Sequence, residues 1–421
     1  MIIYSEQLSL TKPRYEVADI FHQYGEAYRQ SHHVSYEQQK AIAAITQCRT
    51  GALGGHVDEC DQCGVLRISY NSCRNRHCPK CGALSKARWL EARELELLPI
   101  DYFHVVFTID HALNALARCN ATRIYDLLFA SAAQTLKAFG ARYLKGEIGV
   151  VAVAHTWGQD LGQHIHLHCI VTGGALSFDE QHWQSCPKGF LFPVLPLSKA
   201  FRDAFCDGLT RLHQRGWLVF AGDCAKLESA DTFASLIAEM QAKDWQVYAK
   251  ESFGGPTQVF DYLGRYVHRV AISNQRIVSI ENGQVRFRWR DNRDGGQLKE
   301  MTLPASEFIR RFLLHILPMG FVRIRYFGLL SNGQRKRKLQ RCRELLGVSA
   351  ATGPLAAETT AELLQRLTGV DMHQCPVCGL GRMRPKQELE SAYALFVKAQ
   401  TPLTMPVLSY ILSDVEGAVE G

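Results

Sequence analysis

One stretch of nine residues, 163–171, constrains this chain more than any other. It reads Gln-His-Ile-His-Leu-His-Cys-Ile-Val, in which polar and apolar side chains alternate. Because successive side chains of a β-strand point to opposite faces, His164, His166 and His168 share one face of the predicted strand. Three imidazoles on one sheet face have no packing rationale, whereas a divalent metal ion binds two or three of them. The stretch therefore predicts a metal-binding strand.

The residues before this strand predict a hairpin that adds a fourth histidine. Residues 148–155 form an apolar run that ends in His155, and the segment after it contains two glycines and an aspartate, which are typical of a turn. A chain that folds back at residues 160–161 places His155 beside His166. We therefore predict His155, His166 and His168 as the metal ligands, and His164 as their neighbour or as a DNA contact. The alternative is a polar strand face on which the histidines hydrogen-bond to one another.

The N-terminal region carries two Cys-x-x-Cys-Gly knuckles, at residues 60–64 and 78–82. Each knuckle places two thiolates on a tight turn, and glycine permits the backbone bend that aims amide donors at the sulfurs. Fourteen cysteines in a chain without a signal sequence favour metal binding over disulfides. The two knuckles together predict one tetrahedral structural zinc site with four thiolate ligands: Cys60, Cys63, Cys78 and Cys81.

Further cysteines and histidines lie around and beyond the two knuckles. Four of them could close a second zinc site in the same region: Cys48, His56, Cys73 and His77. The alternative is that both cysteines are small buried thiols and that both histidines contact phosphate. A third knuckle, from Cys375 to Cys378, has no partner near it in the sequence, and it would hold zinc only with a distant ligand such as His373 or Cys342.

The charge of the chain permits nucleic acid as a partner without requiring it. The formal net charge of +7 is a mild basic excess. Arg74 and Arg76 lie beside the knuckles, and Arg286 and Arg288 alternate with apolar residues after a predicted hairpin turn. Such arginines suit a phosphate backbone, with a solvated outer face as the alternative. The lack of a signal sequence and of a long apolar run predicts a soluble cytoplasmic protein with no membrane partner.

Two tyrosines lie four residues apart on a predicted helix at residues 258–269. Tyr262 and Tyr266 therefore share one face of that helix, and Arg265, His268 and Arg269 accompany them as candidate phosphate contacts. An aromatic pair at this spacing is on its own more typical of core packing. In a chain that also carries a three-histidine strand, the pair indicates two catalytic hydroxyl groups.

These motifs together resemble the rolling-circle transposases of insertion-sequence family ninety-one, a two-tyrosine group of the HUH endonuclease superfamily. The resemblance covers most of the chain and rests on segments in the family's order: residues 48–56, 60–81, 155–159, 164–171, 262–273 and 321–326. The family's metal-binding His-hydrophobic-His pair falls on His166 and His168, and its nucleophiles fall on Tyr262 and Tyr266. An upstream pair at residues 164–166 also fits, but the family pattern and the hairpin both favour the downstream frame.

The resemblance implies an α+β fold with three successive domains. These are a helical, zinc-ribbon-like DNA-recognition domain at residues 1–98, an HUH nuclease domain with a central antiparallel sheet and flanking helices at 100–300, and a basic C-terminal region with the third knuckle at 301–421. The resemblance also implies Mg²⁺ or Mn²⁺ at the histidines and one or two Zn²⁺ ions in the N-terminal domain. A tyrosine would attack single-stranded DNA at an element end or target site, leaving a 5′-phosphotyrosine and a free 3′-OH.

Three other functions are compatible with parts of this pattern. A relaxase or a rolling-circle replication initiator would share the metal site and the tyrosines, but the zinc module beside the tyrosine motif favours the transposase. A zinc-dependent DNA-binding regulator would carry the cysteines without catalysis. A zinc hydrolase would use the three histidines for its metal and the tyrosines only for structure.

Overall fold

The computed structural model describes residues 13–251, 258, 264, 270–291, 294–348, 358–392 and 394–395. Within these residues the protein is a mixture of helices and antiparallel sheets, which confirms the predicted α+β class. No helix in the described ranges is long and apolar enough to cross a membrane.

The described α-helices occur throughout both halves of the chain. They are α1 (Val17–Ser31), α2 (Tyr36–Gln47), α3 (Ala83–Glu94), α4 (Asn114–Cys119), α5 (Ala121–Tyr143), α6 (Val194–Gln214), α7 (Ala230–Ala242), α8 (Ala305–Leu313), α9 (Arg335–Leu345) and α10 (Thr360–Thr368). Helix α2 begins with a capping box, since the Ser35 side chain accepts from the Gln38 N–H and the Gln38 side chain accepts from the Ser35 N–H.

The described strands form three antiparallel sheets. They are β1 (Gly55–Cys60), β2 (Leu66–Tyr70), β3 (Tyr102–Thr108), β4 (Gly146–Trp157), β5 (Gln163–Ser177), β6 (Trp183–Ser185), β7 (Val247–Glu251), β8 (Ile277–Glu281), β9 (Gln284–Asp291), β10 (Gln297–Pro304), β11 (Ile324–Gly328) and β12 (Met383–Leu389). The strand orders are β11-β4-β5-β3-β7 in the central sheet, with β6 beside β5, and β10-β9-β8 and β12-β1-β2 in the other two sheets.

The chain divides into two compact units that do not follow the predicted linear domains. Residues 1–48 and 73–373 form unit 1, and residues 49–72 and 374–421 form unit 2. The predicted boundaries near residues 98 and 300 therefore differ from those of the units, because the chain beyond 300 supplies helices to unit 1 and strand β12 to unit 2. Unit 2 is built on the pairing of β12 with β1, which spacing along the sequence does not reveal.

The central sheet contains the predicted histidine hairpin. Strands β4 and β5 pair with His155 directly opposite His166, as the turn at residues 160–161 predicts. The Asp160 carboxylate accepts the Gly162 N–H at 3.0 Å, and Leu161 takes a positive φ of 63°. The local turn chemistry therefore fixes the register that brings the histidines together.

The two faces of the central sheet have different roles. Leu167, Cys169 and Val171 of β5 lie on the apolar face and pack in the core that includes Phe129 of α5 and Phe201 of α6. On the opposite face, Val153 of β4 and Ile170 of β5 are covered in part by Trp89 of α3. The histidines share this second face, so the apolar core holds the sheet rigid while the metal candidates face α3's side.

The small β8–β10 sheet belongs to unit 1 and carries the predicted arginine hairpin. Its turn has positive φ angles at Asn282 (51°) and Gly283 (73°), as a type I′ turn requires. Phe287 is fully buried against Phe308 of α8, whereas the arginines of β9 alternate toward solvent. The predicted separation of an apolar face from an arginine face is therefore confirmed.

Candidate functional site

Three histidines of the central sheet form a compact group of possible metal ligands. One nitrogen from each of His155, His166 and His168 lies within 4.8 Å of the others, and all three side chains are buried. The Nε2 atoms of His166 and His168 are 3.0 Å apart, which is the separation of two adjacent ligands on an ion with bonds of about 2.1 Å. The geometry of the three rings therefore fits a single divalent ion.

The outer nitrogens of two of these rings have partners that orient them. The Nδ1–H of His166 donates to the His164 carbonyl at 2.8 Å, because a carbonyl can only accept, so Nε2 of the neutral ring carries a lone pair. The Nδ1 of His168 lies 2.9 Å from Nε2 of His104. Partners of this kind fix the tautomer and direction of metal-binding histidines. His155 is oriented differently, by stacking on Trp157 with ring centroids 4.7 Å apart.

His104 is a functional candidate that the sequence reasoning missed. It lies on β3, which pairs with β5 so that its neighbour Val106 is opposite His168. Burial lowers the pKa of His104 to about 4, so its ring is neutral and can accept a hydrogen from His168. Alternation along residues 102–108 puts His104 on one face of its strand, but only the strand order shows that this strand adjoins the histidine hairpin.

Replacing His104 by alanine is expected to weaken divalent-ion binding at the three histidines by about 10–100-fold, because His168 loses the ring that orients it. Isothermal titration of the purified protein with Mn²⁺ measures the affinity. His213→Ala is a matched control. His213 does not belong to the histidine group, and its ring stacks on that of Phe233 with the ring centroids 4.0 Å apart. Equal affinities for the His104 and His213 variants would contradict a positioning role for His104.

His164 lies outside this group of three. Its Nδ1 lies 3.4 Å from Nε2 of His111, and both residues line a cavity of about 700 Å³ that adjoins the turn of the hairpin. Trp289 of β9 lines the same cavity. The face of the sheet thus continues from the buried metal candidates to a cavity that the side chains of His111 and His164 line.

The predicted four-thiolate zinc group does not assemble. The knuckles at residues 60–64 and 78–82 lie in different groups, each completed by cysteines from elsewhere. The first group consists of Cys48, Cys73, Cys78 and Cys81, and the second of Cys60, Cys63, Cys375 and Cys378. The prediction was wrong because it paired the two knuckles by nearness in sequence, whereas strand β1 and the first knuckle belong to unit 2.

The first cysteine group fits zinc. Cys48 and Cys73 lie with their sulfurs 3.5 and 3.7 Å from Cys81 Sγ, close to the roughly 3.8 Å between sulfurs around Zn²⁺ with Zn–S bonds of 2.3 Å. Cys48 directly follows α2, so the end of that helix brings it to the knuckle. Backbone N–H groups of Cys73 and Asn75 point at sulfurs of the group at 3.5 Å.

The two histidines proposed for a second zinc site are not in either group. His56 lies in unit 2 with Nε2 3.6 Å from Asp58. His77 accepts the Leu317 N–H at 3.4 Å, and burial lowers the pKa of His77 to about 3. The predicted set of Cys48, His56, Cys73 and His77 is therefore corrected, because its cysteines join Cys78 and Cys81 and its histidines have other partners.

Several other predicted site residues lie outside the described residues. They are Tyr262, Tyr266, Arg265, His268 and Arg269. Gly264 between them is described as helical and buried, and a Cβ at that position would lie 2.7 Å from Leu90 of α3.

The predicted arginine contacts have mixed surroundings. Arg74 is exposed, while Arg76 donates to the Phe321 carbonyl at 2.8 Å. Arg286 and Arg288 are about half exposed, and each lies 3.7 Å from Glu300 of β10. Exposed ion pairs of this kind contribute little to stability, so the two hairpin arginines can exchange Glu300 for another anion at small cost.

The chain is similar to known transposases over most of its length. One family model, described as "Putative transposase", matches residues 149–338, and another, described as "Transposase zinc-binding domain", matches residues 20–109. A Sinorhizobium fredii protein named "Putative transposase y4qJ" is 51% identical over 376 residues, 87% of this chain and 94% of that protein. The "Transposase for insertion sequence element IS801" of Pseudomonas savastanoi pv. phaseolicola is 28% identical over 344 residues, 81% of each chain. No solved structure matches.

Proposed function

We propose that this chain, which belongs to the transposases of insertion-sequence family ninety-one, cleaves and rejoins single-stranded DNA through a 5′-phosphotyrosine link. Transposases cut and join DNA, so DNA is the partner. The observation that carries the proposed phosphotyrosine chemistry is the buried group of His155, His166 and His168 on the central sheet. This chemistry implies rolling-circle-like transposition of one strand, at the element's ends and at a target site in the bacterial nucleoid.

The chemistry needs a nucleophile and a way to stabilise charge on phosphate. A bound Mg²⁺ or Mn²⁺ would polarise the scissile phosphate and stabilise the departing oxygen. The hydroxyl oxygen of Tyr262 or Tyr266 loses its proton and forms a bond to phosphorus, the bond from phosphorus to the 3′ oxygen breaks, and that oxygen takes up a proton. The phosphodiester energy is kept in the tyrosine ester, so rejoining needs no ATP. Two tyrosines allow two successive transfers, one for each strand end.

The position of Gly264 supports a tyrosine segment close to the histidine face. Gly264 contacts Leu90 of α3, and the adjacent residue of that helix, Trp89, packs against Val153 and Ile170 on the same sheet face as the histidines. Gly264 therefore packs against α3, which covers part of the sheet face on which the histidines lie. Tyr262 and Tyr266 are two residues away from it on either side.

The cavity beside the hairpin turn suits the bases of a single strand. Trp289 offers a ring on which a base can stack, and amide and imidazole groups of Gln163 and His164 offer hydrogen bonds. One guanidinium group, that of Arg290, lines the cavity together with four carboxylates, so the balance of charge disfavours phosphate there: Asp110, Asp160, Asp244 and Asp291. We therefore propose that bases enter this cavity and that phosphates lie along exposed arginines such as Arg286 and Arg288.

The first cysteine group would hold a structural zinc ion. It lies inside the region matched by the zinc-binding domain model, residues 20–109. We propose that this zinc module helps to recognise the element's ends, with Arg74 as an exposed phosphate contact. Zinc at this site would stabilise the fold and support DNA recognition, whereas the histidine group would take part in strand cleavage.

The covalent intermediate is the decisive test. Incubation of the protein with Mn²⁺ and single-stranded DNA that carries the element's end is expected to give a protein–DNA adduct on a denaturing gel. The double substitution Tyr262→Phe plus Tyr266→Phe is expected to abolish the adduct, because a phenyl ring has no nucleophilic oxygen. Each single substitution reports which tyrosine acts on which end.

The same assay separates the competing functions. A regulator without catalysis would bind the DNA but give no adduct, and a zinc hydrolase would cut it without an adduct. A relaxase or replication initiator would give the adduct but would act on a plasmid origin in preference to an element end. An adduct that survives the double tyrosine substitution, or none with any element end, would overturn the proposal.

A further inference from the structure

The second cysteine group joins two knuckles that lie far apart in the chain. Cys63 and Cys375 are 312 residues apart in sequence and their sulfurs are 3.7 Å apart, and Cys60 and Cys378 repeat this contact at 3.7 Å. We propose that these four cysteines form a second, independent zinc site that fastens the C-terminal segment to the N-terminal hairpin. Cys375 and Cys378 lie outside the region that the zinc-binding domain model matches.

The two knuckles have matching backbone geometry, as a four-thiolate site requires. Gly64 and Gly379 follow their knuckles with positive φ angles of 71° and 66°, and each glycine N–H donates at 3.0 Å to the carbonyl of its knuckle's first cysteine. The Gln62 N–H points at Cys60 Sγ and the Gly381 N–H at Cys378 Sγ, both at 3.4 Å. Amide donors of this kind stabilise thiolates and are typical of zinc knuckles.

The two knuckles pack closely against each other. A Cβ on Gly381 would lie 2.4 Å from Cys60 Sγ, so the two knuckles meet at a distance that only glycine allows. Asp61 holds the same junction from the other side, since its carboxylate accepts the Arg382 N–H at 2.7 Å and its own N–H donates to the Arg382 carbonyl at 3.0 Å.

The described residues of unit 2 contribute only a small apolar cluster to this junction. The apolar cluster around the sulfurs contains Met383 and part of Val65 besides the cysteines themselves. Small units with so little core generally depend on a metal ion or on disulfides for stability. The pairing of β12 with β1 therefore needs the four thiolates to be joined.

The charge of this unit favours a structural role over a phosphate contact. Residues 49–72 and 374–390 contain five basic side chains and five acidic ones. Three of the basic residues, Arg67, Arg384 and Lys386, lie within 3.6 Å of a carboxylate oxygen. A unit without excess positive charge does not attract DNA strongly. The metal would therefore stabilise the contact between the first knuckle and the third knuckle instead of binding DNA.

The metal content of the full-length protein tests the site. Because zinc can also bind the histidine group, the counts are made in a His166→Ala background. This parent protein, purified with zinc, is expected to hold two equivalents by elemental analysis, and adding Cys375→Ser plus Cys378→Ser is expected to leave one. Cys60→Ser plus Cys63→Ser is expected to hold one as well, and combining all four substitutions should remove no further zinc. The matched control is Cys119→Ser plus Cys224→Ser, a thiol pair 3.5 Å apart that belongs to neither group, which should keep two equivalents.

Every other zinc count overturns the proposal. Two equivalents in the Cys375 and Cys378 variant would show that these cysteines bind no metal. No zinc at all would show that the two sites are not independent, and one equivalent in the His166→Ala parent would show that only one cysteine site exists. The remaining equivalent in the variant also reports that unit 1 is folded, so a count of one cannot arise from general unfolding.

Discussion

Replacing His166 by alanine is expected to lower the rate of single-strand cleavage by more than about 100-fold. The histidine group then loses a direct metal ligand, and this loss costs more than the loss of a residue that only orients a ligand. His166 contacts both other rings, with Nε2 3.0 Å from His168 and its ring centroid 5.4 Å from that of His155. Its loss therefore removes two of the three ring contacts and leaves the one between His155 and His168. Single-turnover cleavage of a labelled DNA strand at saturating Mn²⁺ measures the rate.

Matched substitutions on the same strand face make this result specific. His168→Ala is expected to reduce Mn²⁺ affinity as strongly as His166→Ala, whereas His164→Ala should retain most of the affinity, since His164 pairs with His111. His213→Ala, distant from the site, should cleave at the wild-type rate. If His164→Ala abolished Mn²⁺ binding and His168→Ala did not, the upstream pair of histidines would be the ligands instead.

Replacing Cys48 by serine is expected to remove one zinc equivalent and to lower the free energy of unfolding of unit 1 by several kcal/mol, on the order of the energy that structural zinc contributes. Cys48 is fully buried and its sulfur lies 3.5 Å from that of Cys81. A zinc site made from the two N-terminal knuckles alone would leave Cys48→Ser with its zinc. Elemental analysis and thermal denaturation measure the two effects.

A buried cysteine outside both groups provides the control for Cys48. Cys342 of α9 is as buried as Cys48 but belongs to no group of possible ligands among the described residues. Cys342→Ser is expected to keep all of the zinc and to cost only about 1–3 kcal/mol for a buried hydroxyl. Equal zinc contents in the Cys48 and Cys342 variants would contradict the first site as the structure groups it.

The histidine site was predictable from sequence because all of its information is local. Alternation places His166 and His168 on one face, and the glycines and Asp160 of the turn fix the register that brings His155 opposite His166. His104 escaped because it depends on which strand lies beside β5. That choice is made by the packing of the whole sheet rather than by residues 102–108 alone.

The cysteine sites were predicted as a residue class but not as ligand sets. The knuckle spacing identifies turns that each carry two candidate ligands, but a turn does not encode its partner. Cys48 reaches Cys81 because α2 ends there, and Cys375 reaches Cys63 because β12 pairs with β1. Both facts are tertiary, so the spacing of cysteines along the sequence could not supply them.

The second cysteine group cannot form until both of its knuckles have been synthesised, and these lie far apart in the chain. Cys63 emerges from the ribosome 312 residues before Cys375, an interval of roughly 15–60 s at about 5–20 residues per second. During that time the nascent chain can join Cys60 and Cys63 to Cys78 and Cys81 in a non-native chelate. Early capture of Cys78 and Cys81 by Cys48 and Cys73, all of them already synthesised, is expected to prevent this chelate and to leave the first knuckle available until Cys375 and Cys378 emerge.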